Sequence, residues 1–293
     1  MRIGLAALTL AAIASGCARG GAGDEVTPAG GQQPLDAPPA RALDSYATKL
    51  RAAHAARVAA ARRWGLRKAP LTAPPAPAKK PRIRTREGFE VTGHRRLELP
   101  PVFTTVPTRD KVVFLTIDDG AEKDPAFLRM MSDLDVPYSA FLSGHLVKDE
   151  PRYFRRMQAA GTVLNNHTLH HPALRGLPYS RQEREICGMQ RYMEKRFGRR
   201  PTLFRPPYGS YDRATLRAAK ACGITHVPLW NEEVFADRWE YREGDRRLRP
   251  GDVVLTHFRG RGQWKGTMPD MVRRFLNEVA SEGYAVGRLE DYL

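Results

Sequence analysis

The chain has 293 residues, 42% of them hydrophobic, which suffices for one large domain or two small ones with a real core. Its net charge of +16 is uneven. Between Arg41 and Arg86 thirteen Lys and Arg face a single acid, Asp44, so three-quarters of the excess sits in a tail and nucleic acid is not an expected partner.

The N-terminus explains why a tail exists. Arg2 precedes an apolar run, Leu5–Ile13, too short to span a bilayer but suited to an export signal. Ala14-Ser15-Gly16 before Cys17 resembles a bacterial lipobox. That reading makes residues 1–17 a lipoprotein-type signal and Cys17 the lipid anchor, holding the protein on the outer face of the cell membrane. The alternative is an ordinary cleaved signal, an incidental cysteine and a secreted product. Residues 18–100 read as a flexible Ala/Pro/Arg-rich linker, with a solvated basic helix over 41–68 and a polyproline-like spacer over 70–81. Cys187 and Cys222 either pair in an exported protein or remain two buried thiols.

The folded domain is expected over 101–293. An apolar strand, Val112–Ile117, leads to a helix around Pro125–Leu134. Ser139–Leu142 then precedes a helix around Pro151–Ala160, and the short apolar Thr162–Leu164 enters a His-rich loop. Ser180 and Glu183 read as a capping box for a helix through Phe197. Leu203–Phe204 is a short strand, and Asp212 caps a helix to Ala221. Strands at Thr225–Pro228 and Val253–Thr256, a helix over Met268–Glu282 and a strand at Tyr284–Val286 close the chain. This alternation argues for a parallel sheet with helices outside it, in a small irregular barrel.

Four clusters carry chemistry. Val112–Ile117 ends in Asp118-Asp119-Gly120, so a buried strand delivers two carboxylates expected to diverge. One can bind a cation while the other moves a proton, whereas the bland alternative is an acidic turn. His167 and His171 lie four apart, and one helical turn would place both rings on one side. With a carboxylate they form the three-ligand set of a catalytic zinc. Arg205-Pro206-Pro207-Tyr208-Gly209 offers a fork-shaped cation for a carboxylate and the Tyr208 N–H for a developing oxyanion. Val253–Thr256 ends in His257, able to protonate a leaving group near neutral pH or to serve as a buried structural histidine.

TIDDG, HTLHHP, RPPYG and DVVLTH, in this order, resemble the polysaccharide deacetylase (NodB-homology) family of carbohydrate esterases over about Lys111–Leu293. The resemblance implies an α/β fold, a distorted (β/α) barrel of the NodB-homology type behind a largely disordered tail. It also implies a divalent metal, most often Zn2+, and removal of acetyl groups from polysaccharides such as peptidoglycan glycan or chitin-like oligomers. Position by position, it makes Asp118 the base, and Asp119, His167 and His171 the metal ligands. Arg205 steadies Asp118, the Tyr208 amide assists at the oxyanion, and His257 is the general acid. Leu255, Pro206 and Trp230 line the substrate pocket. The family's aromatic residue is Ile117 here, and the acid that tunes the catalytic histidine is displaced, with Glu233 and Asp237 competing for that role. A monomer acting on the cell's own envelope glycan is expected. The other reading is a catalytically weak or inactive glycan-binding protein on the same fold.

Overall fold

The structure, a computed structural model, describes residues 40–293, with side chains from residue 44. The signal, Cys17 and the first part of the linker lie outside the described residues. None of the described helices is long and apolar enough to cross a membrane.

Among the described residues, nine strands and seven helices follow in chain order. The strands are β1 (Val102–Phe103), β2 (Val112–Asp119), β3 (Ser139–Leu142), β4 (Val163–Asn166), β5 (Val227–Pro228), β6 (Glu232–Val234), β7 (Trp239–Tyr241), β8 (Val253–His257) and β9 (Ala285–Gly287). The helices are α1 (Ala40–Arg63), α2 (Pro125–Leu134), α3 (Gly144–Val147), α4 (Pro151–Ala159), α5 (Tyr179–Phe197), α6 (Arg213–Ala221) and α7 (Met268–Ser281).

The main sheet runs β4-β3-β2-β8-β6-β7, and β9 pairs with the first half of β2. All its pairings are parallel except the β6–β7 hairpin. Every residue of β2 is buried, as its run of Val, Phe, Leu and Ile requires of a strand covered on both faces. Beyond β4 the ring closes through single bridges, Asn166 to Phe204, Leu203 to His226 and Thr105 to Asp252, with the β1–β5 pair between them. This is the distorted barrel of the expected fold class, with one wall knitted from fragments.

Helix starts follow local chemistry. Asp124 accepts from the Ala126 amide ahead of α2, with Pro125 at the first helical position. Asp212 and Thr215 form a reciprocal capping box on α6, as do Thr267 and Asp270 on α7. The expected box at Ser180 is not formed. The helix begins two residues earlier, with Pro178 in the N-cap position, and Glu183 accepts instead from the Tyr179 hydroxyl.

The segment read as linker differs most from expectation. The middle turns of α1 are exposed, as a solvated basic helix should be, but Ala60 and Ala61 near its end are buried with Leu66 in the main core. Trp64 packs on that core and donates to Asp133. Leu99, with Phe89, Val91 and Leu97, closes a second apolar cluster, and Ile83 meets a third. These apolar side chains are scattered among prolines and arginines without a helical or strand period. No pattern in the sequence announces that they belong to the core.

Gly251 fixes the entry to β8. It has φ +85°, and a Cβ there would lie 1.9 Å from the Val106 carbonyl oxygen. Gly251→Ala should cost about 3 kcal/mol or more, read as a fall in denaturant midpoint, because backbone rather than a movable side chain blocks the methyl. Deleting residues 18–69 strips Ala60, Ala61, Trp64 and Leu66 from the core. It should lower unfolding stability on the order of 3 kcal/mol, measured by the same titration.

Candidate active site

Parallel pairing brings the ends of β2 and β8 together, with Asp118 directly opposite His257 in the register. Asp119 ends β2 with φ +80°, a conformation uncommon outside glycine. That twist interrupts strand alternation, and the two carboxylates converge where divergence was expected. Asp118 Oδ2 and Asp119 Oδ1 each lie 3.6 Å from His167 Nε2. Gly120 then turns the chain where a Cβ would meet Val147 at 2.6 Å.

His167 leaves β4 fully buried. Its Nδ1 lies 2.7 Å from the Arg205 carbonyl oxygen. A carbonyl only accepts, so Nδ1 carries the proton and the Nε2 lone pair faces the carboxylates. Burial pushes the His167 pKa down against the pull of Asp118 and Asp119, which favours the neutral ring a ligand needs. His171 reaches the same point without the expected helical turn. Thr168 and His171 both adopt positive φ, at 70° and 58°. The Thr168 hydroxyl accepts from the His171 amide, and the Asn166 side chain accepts from the Thr168 amide. His171 Nε2 ends 3.2 Å from Asp119 Oδ1. His170, beside His171 in the sequence, points to solvent and pairs with Glu185.

One ligand atom from each of Asp119, His167 and His171 lies within 4.8 Å of the other two. Asp119 Oδ1 is buried with no hydrogen-bond partner, an arrangement a cation would satisfy. Two imidazole nitrogens and one carboxylate oxygen suit a borderline divalent metal such as zinc. Burial would raise the Asp119 pKa, but the facing imidazoles of His171, His167 and His257 outweigh it, and the carboxyl is held well below its usual range. Arg259, which the sequence reading missed, places Nη2 3.2 Å from Asp119 Oδ2 and leaves Oδ1 toward the histidines. Its only sequence signal is a charge two residues past the β8 histidine.

Arg205 is completely buried. Nη1 donates to Asp118 Oδ1 at 2.7 Å, and Nε donates to the Pro228 carbonyl at 2.8 Å. Its guanidinium lies 4.4 Å from the centre of Phe141 and 5.7 Å from that of Trp230. Pro206 is buried beside it, and Gly209 packs so closely on Trp230 that a Cβ would sit 3.2 Å from the indole. Tyr208 has φ 62° and a 69% exposed side chain, with its ring edge-on to His171 at 4.8 Å.

Glu233, not Asp237, reaches His257. Its Oε1 lies 3.1 Å from His257 Nδ1, whereas Asp237 pairs with Arg238. Burial works against a charged His257. The Glu233 hydrogen bond, with Asp118 and Asp119 nearby, prevails and raises its pKa. Strand alternation turns Glu232 to the other face, where burial and then Asp252 push its pKa up to about 9. Leu255 sits two residues before His257 on the same strand face, opposite Glu233 in the register, and is 2% exposed. The Cys187 and Cys222 sulfurs are bonded, joining α5 to the residue that ends α6.

Residues 105–227 match the family model described as polysaccharide deacetylase. An uncharacterized protein of Streptomyces coelicolor is 44% identical over 200 residues, covering 68% of this chain and 80% of that one. A chitooligosaccharide deacetylase of a Bradyrhizobium species is 30% identical over 155 residues, covering 50% and 69%. The peptidoglycan-N-acetylmuramic acid deacetylase PdaA of Bacillus subtilis is 25% identical over 198 residues, covering 64% and 73%. The solved structure of Bacillus subtilis PdaA, a family 4 carbohydrate esterase, superposes with a TM-score of 0.55 at 21% identity, covering 73% of this chain and 94% of that one, a likeness of fold. Matched in motif order, in barrel and in relatives of this kind, the chain belongs to the polysaccharide deacetylase family.

Proposed function

We propose that the protein is a metal-dependent hydrolase that removes acetyl groups, N-acetyl foremost, from an envelope polysaccharide such as peptidoglycan glycan or a chitin-like oligomer. One observation carries this reading. Asp118 is held by Arg205 but lies outside the Asp119–His167–His171 donor set, so a carboxylate able to take a proton stands beside a site able to hold a cation.

Asp119, His167 and His171 would hold the metal, which supplies Lewis-acid polarisation of the acetyl carbonyl and lowers the pKa of water. The protein's own groups do the rest. Arg205 fixes the Asp118 carboxylate so that it can accept a proton from the attacking water. His257, kept protonated by Glu233, gives its proton to the departing amine. Leu255 walls the acetyl methyl, and the turn at Pro206–Tyr208 presents the Tyr208 backbone to the carbonyl oxygen. The silent glycan-binding alternative was motivated by the displaced tuning acid, and Glu233 removes that motivation by reaching His257.

Export to the cell surface with a lipid on Cys17 is part of the proposal. The apolar run before Cys17 and the Cys187–Cys222 disulfide support it, since disulfides persist outside the reducing cytosol.

Asp119→Asn and His171→Ala should lose both bound metal and acetate release. Asp118→Asn should retain metal while turnover drops by about 10²–10⁴, the usual worth of a general base. Metal content measured beside acetate release separates these outcomes, and an Asp118→Asn protein as active as the parent overturns the assignment. His257 must be protonated to act, so activity declines as pH rises through its raised pKa. Glu233→Gln removes the carboxylate that raises it, and the alkaline limb of the kcat/KM profile should move about one unit lower.

A further inference from the structure

Beside the site runs a groove of about 640 Å³ whose far wall is the segment 88–92, N-terminal to the residues that match the family model. The Tyr211 hydroxyl holds this wall by donating to the Phe89 carbonyl at 2.6 Å. The groove is continuous with the catalytic centre. Tyr208, edge-on to His171, and Trp230, beside the Arg205 guanidinium, both line it. Three exposed arginines line it as well, Arg175, Arg213 and Arg242, and none makes an ion pair among the described residues.

The acids in the groove form hydrogen bonds elsewhere and no ion pair with these arginines. Asp212 is taken up in capping α6 and in accepting from the Gly176 amide, and Glu90 accepts from the Gly88 amide. Arg242 is braced, with Nε donating to the Trp230 carbonyl and its guanidinium 5.4 Å from the centre of Phe89. Three fork-shaped cations without ion-pair partners among the described residues, between an exposed tyrosine and a half-buried tryptophan, form a surface for a ligand with sugar rings and carboxylates. Aromatic faces take the C–H-rich side of a pyranose, and guanidinium forks match carboxylate oxygens.

We infer that this groove is a glycan subsite selecting chains that bear carboxylates, as the lactyl ethers and stem peptides of peptidoglycan do, over neutral chitin-like chains. The inference rests on the proposed deacetylase reading and narrows its substrate.

The test is equilibrium binding, in the full chain on an Asp118→Asn background, of a labelled peptidoglycan oligosaccharide with free carboxylates. Its comparison is the same oligosaccharide with the carboxyls reduced to alcohols. Exposed ion pairs are individually weak, so replacing Arg175, Arg213 and Arg242 together by Gln should weaken the carboxylate ligand about tenfold and leave the reduced ligand unchanged. The triple Lys variant should keep most of the affinity, and added salt should erode the difference. Equal binding of both ligands by the parent, or equal loss of both in the Gln variant, overturns the subsite. Acetate release by the otherwise unmutated chain from a neutral acetylated oligomer is measured separately. Should no acetylated glycan be hydrolysed, the deacetylase reading fails while the binding contrast still decides the groove.

Discussion

The buried pair between Arg205 and Asp118 organises everything around it. A guanidinium with no solvent contact is expensive to bury, and burial lowers its pKa despite the opposing charge and hydrogen bond of Asp118. Removing one partner of such a pair costs about 3–5 kcal/mol, because the other is left charged and dry. The same residue serves the histidine through its backbone, since its carbonyl fixes the tautomer of His167. One residue therefore sets both the carboxylate that moves a proton and the ring that faces the cation site.

Around this pair the barrel behaves as two structures of different regularity. The strands β3, β2 and β8 form a continuous parallel ladder, and they carry Asp118, Asp119 and His257 on neighbouring ends. The opposite wall consists of one-residue bridges and the two-residue pair β1–β5. Groups that must meet within hydrogen-bonding distance sit on or beside the regular ladder. The irregular wall carries Arg205, whose position is enforced instead by three buried contacts of its side chain, to Asp118, Pro228 and Phe141.

Much of this was legible in the sequence where local signals are strong. Apolar runs marked β2, β3 and β8, and the Pro-led or capped starts of α2, α6 and α7 fixed helix positions closely. The four motifs contained Asp118, Asp119, His167, His171, Arg205 and His257, but not Glu233 or Arg259, which the structure adds to them. Other features carry no local signal. The positive φ values at Asp119, Thr168 and His171 occur without glycine, so neither the convergence of the aspartates nor the non-helical histidine loop was readable. The β6–β7 hairpin has no glycine or proline in its turn, which left Glu233 and Asp237 indistinguishable until pairing set their directions. The docking of residues 60–100 depends on isolated apolar side chains whose partners are more than a hundred residues away in several cases, and proline-rich composition masks them.

The adjacent glutamates of β6 show how closely identical side chains can be separated in role. One touches the imidazole, while its neighbour faces away, pressed against another acid and retaining its proton at neutral pH. Only the hydrogen-bond frame between β6 and β8 assigns these parts. A slip that set Val234 opposite Leu255 would leave the imidazole without its carboxylate and turn Glu233 to the other face of the sheet. Insertions or deletions between Val234 and Val253 therefore act on proton chemistry as directly as a substitution at the histidine, even when every reacting group is still encoded.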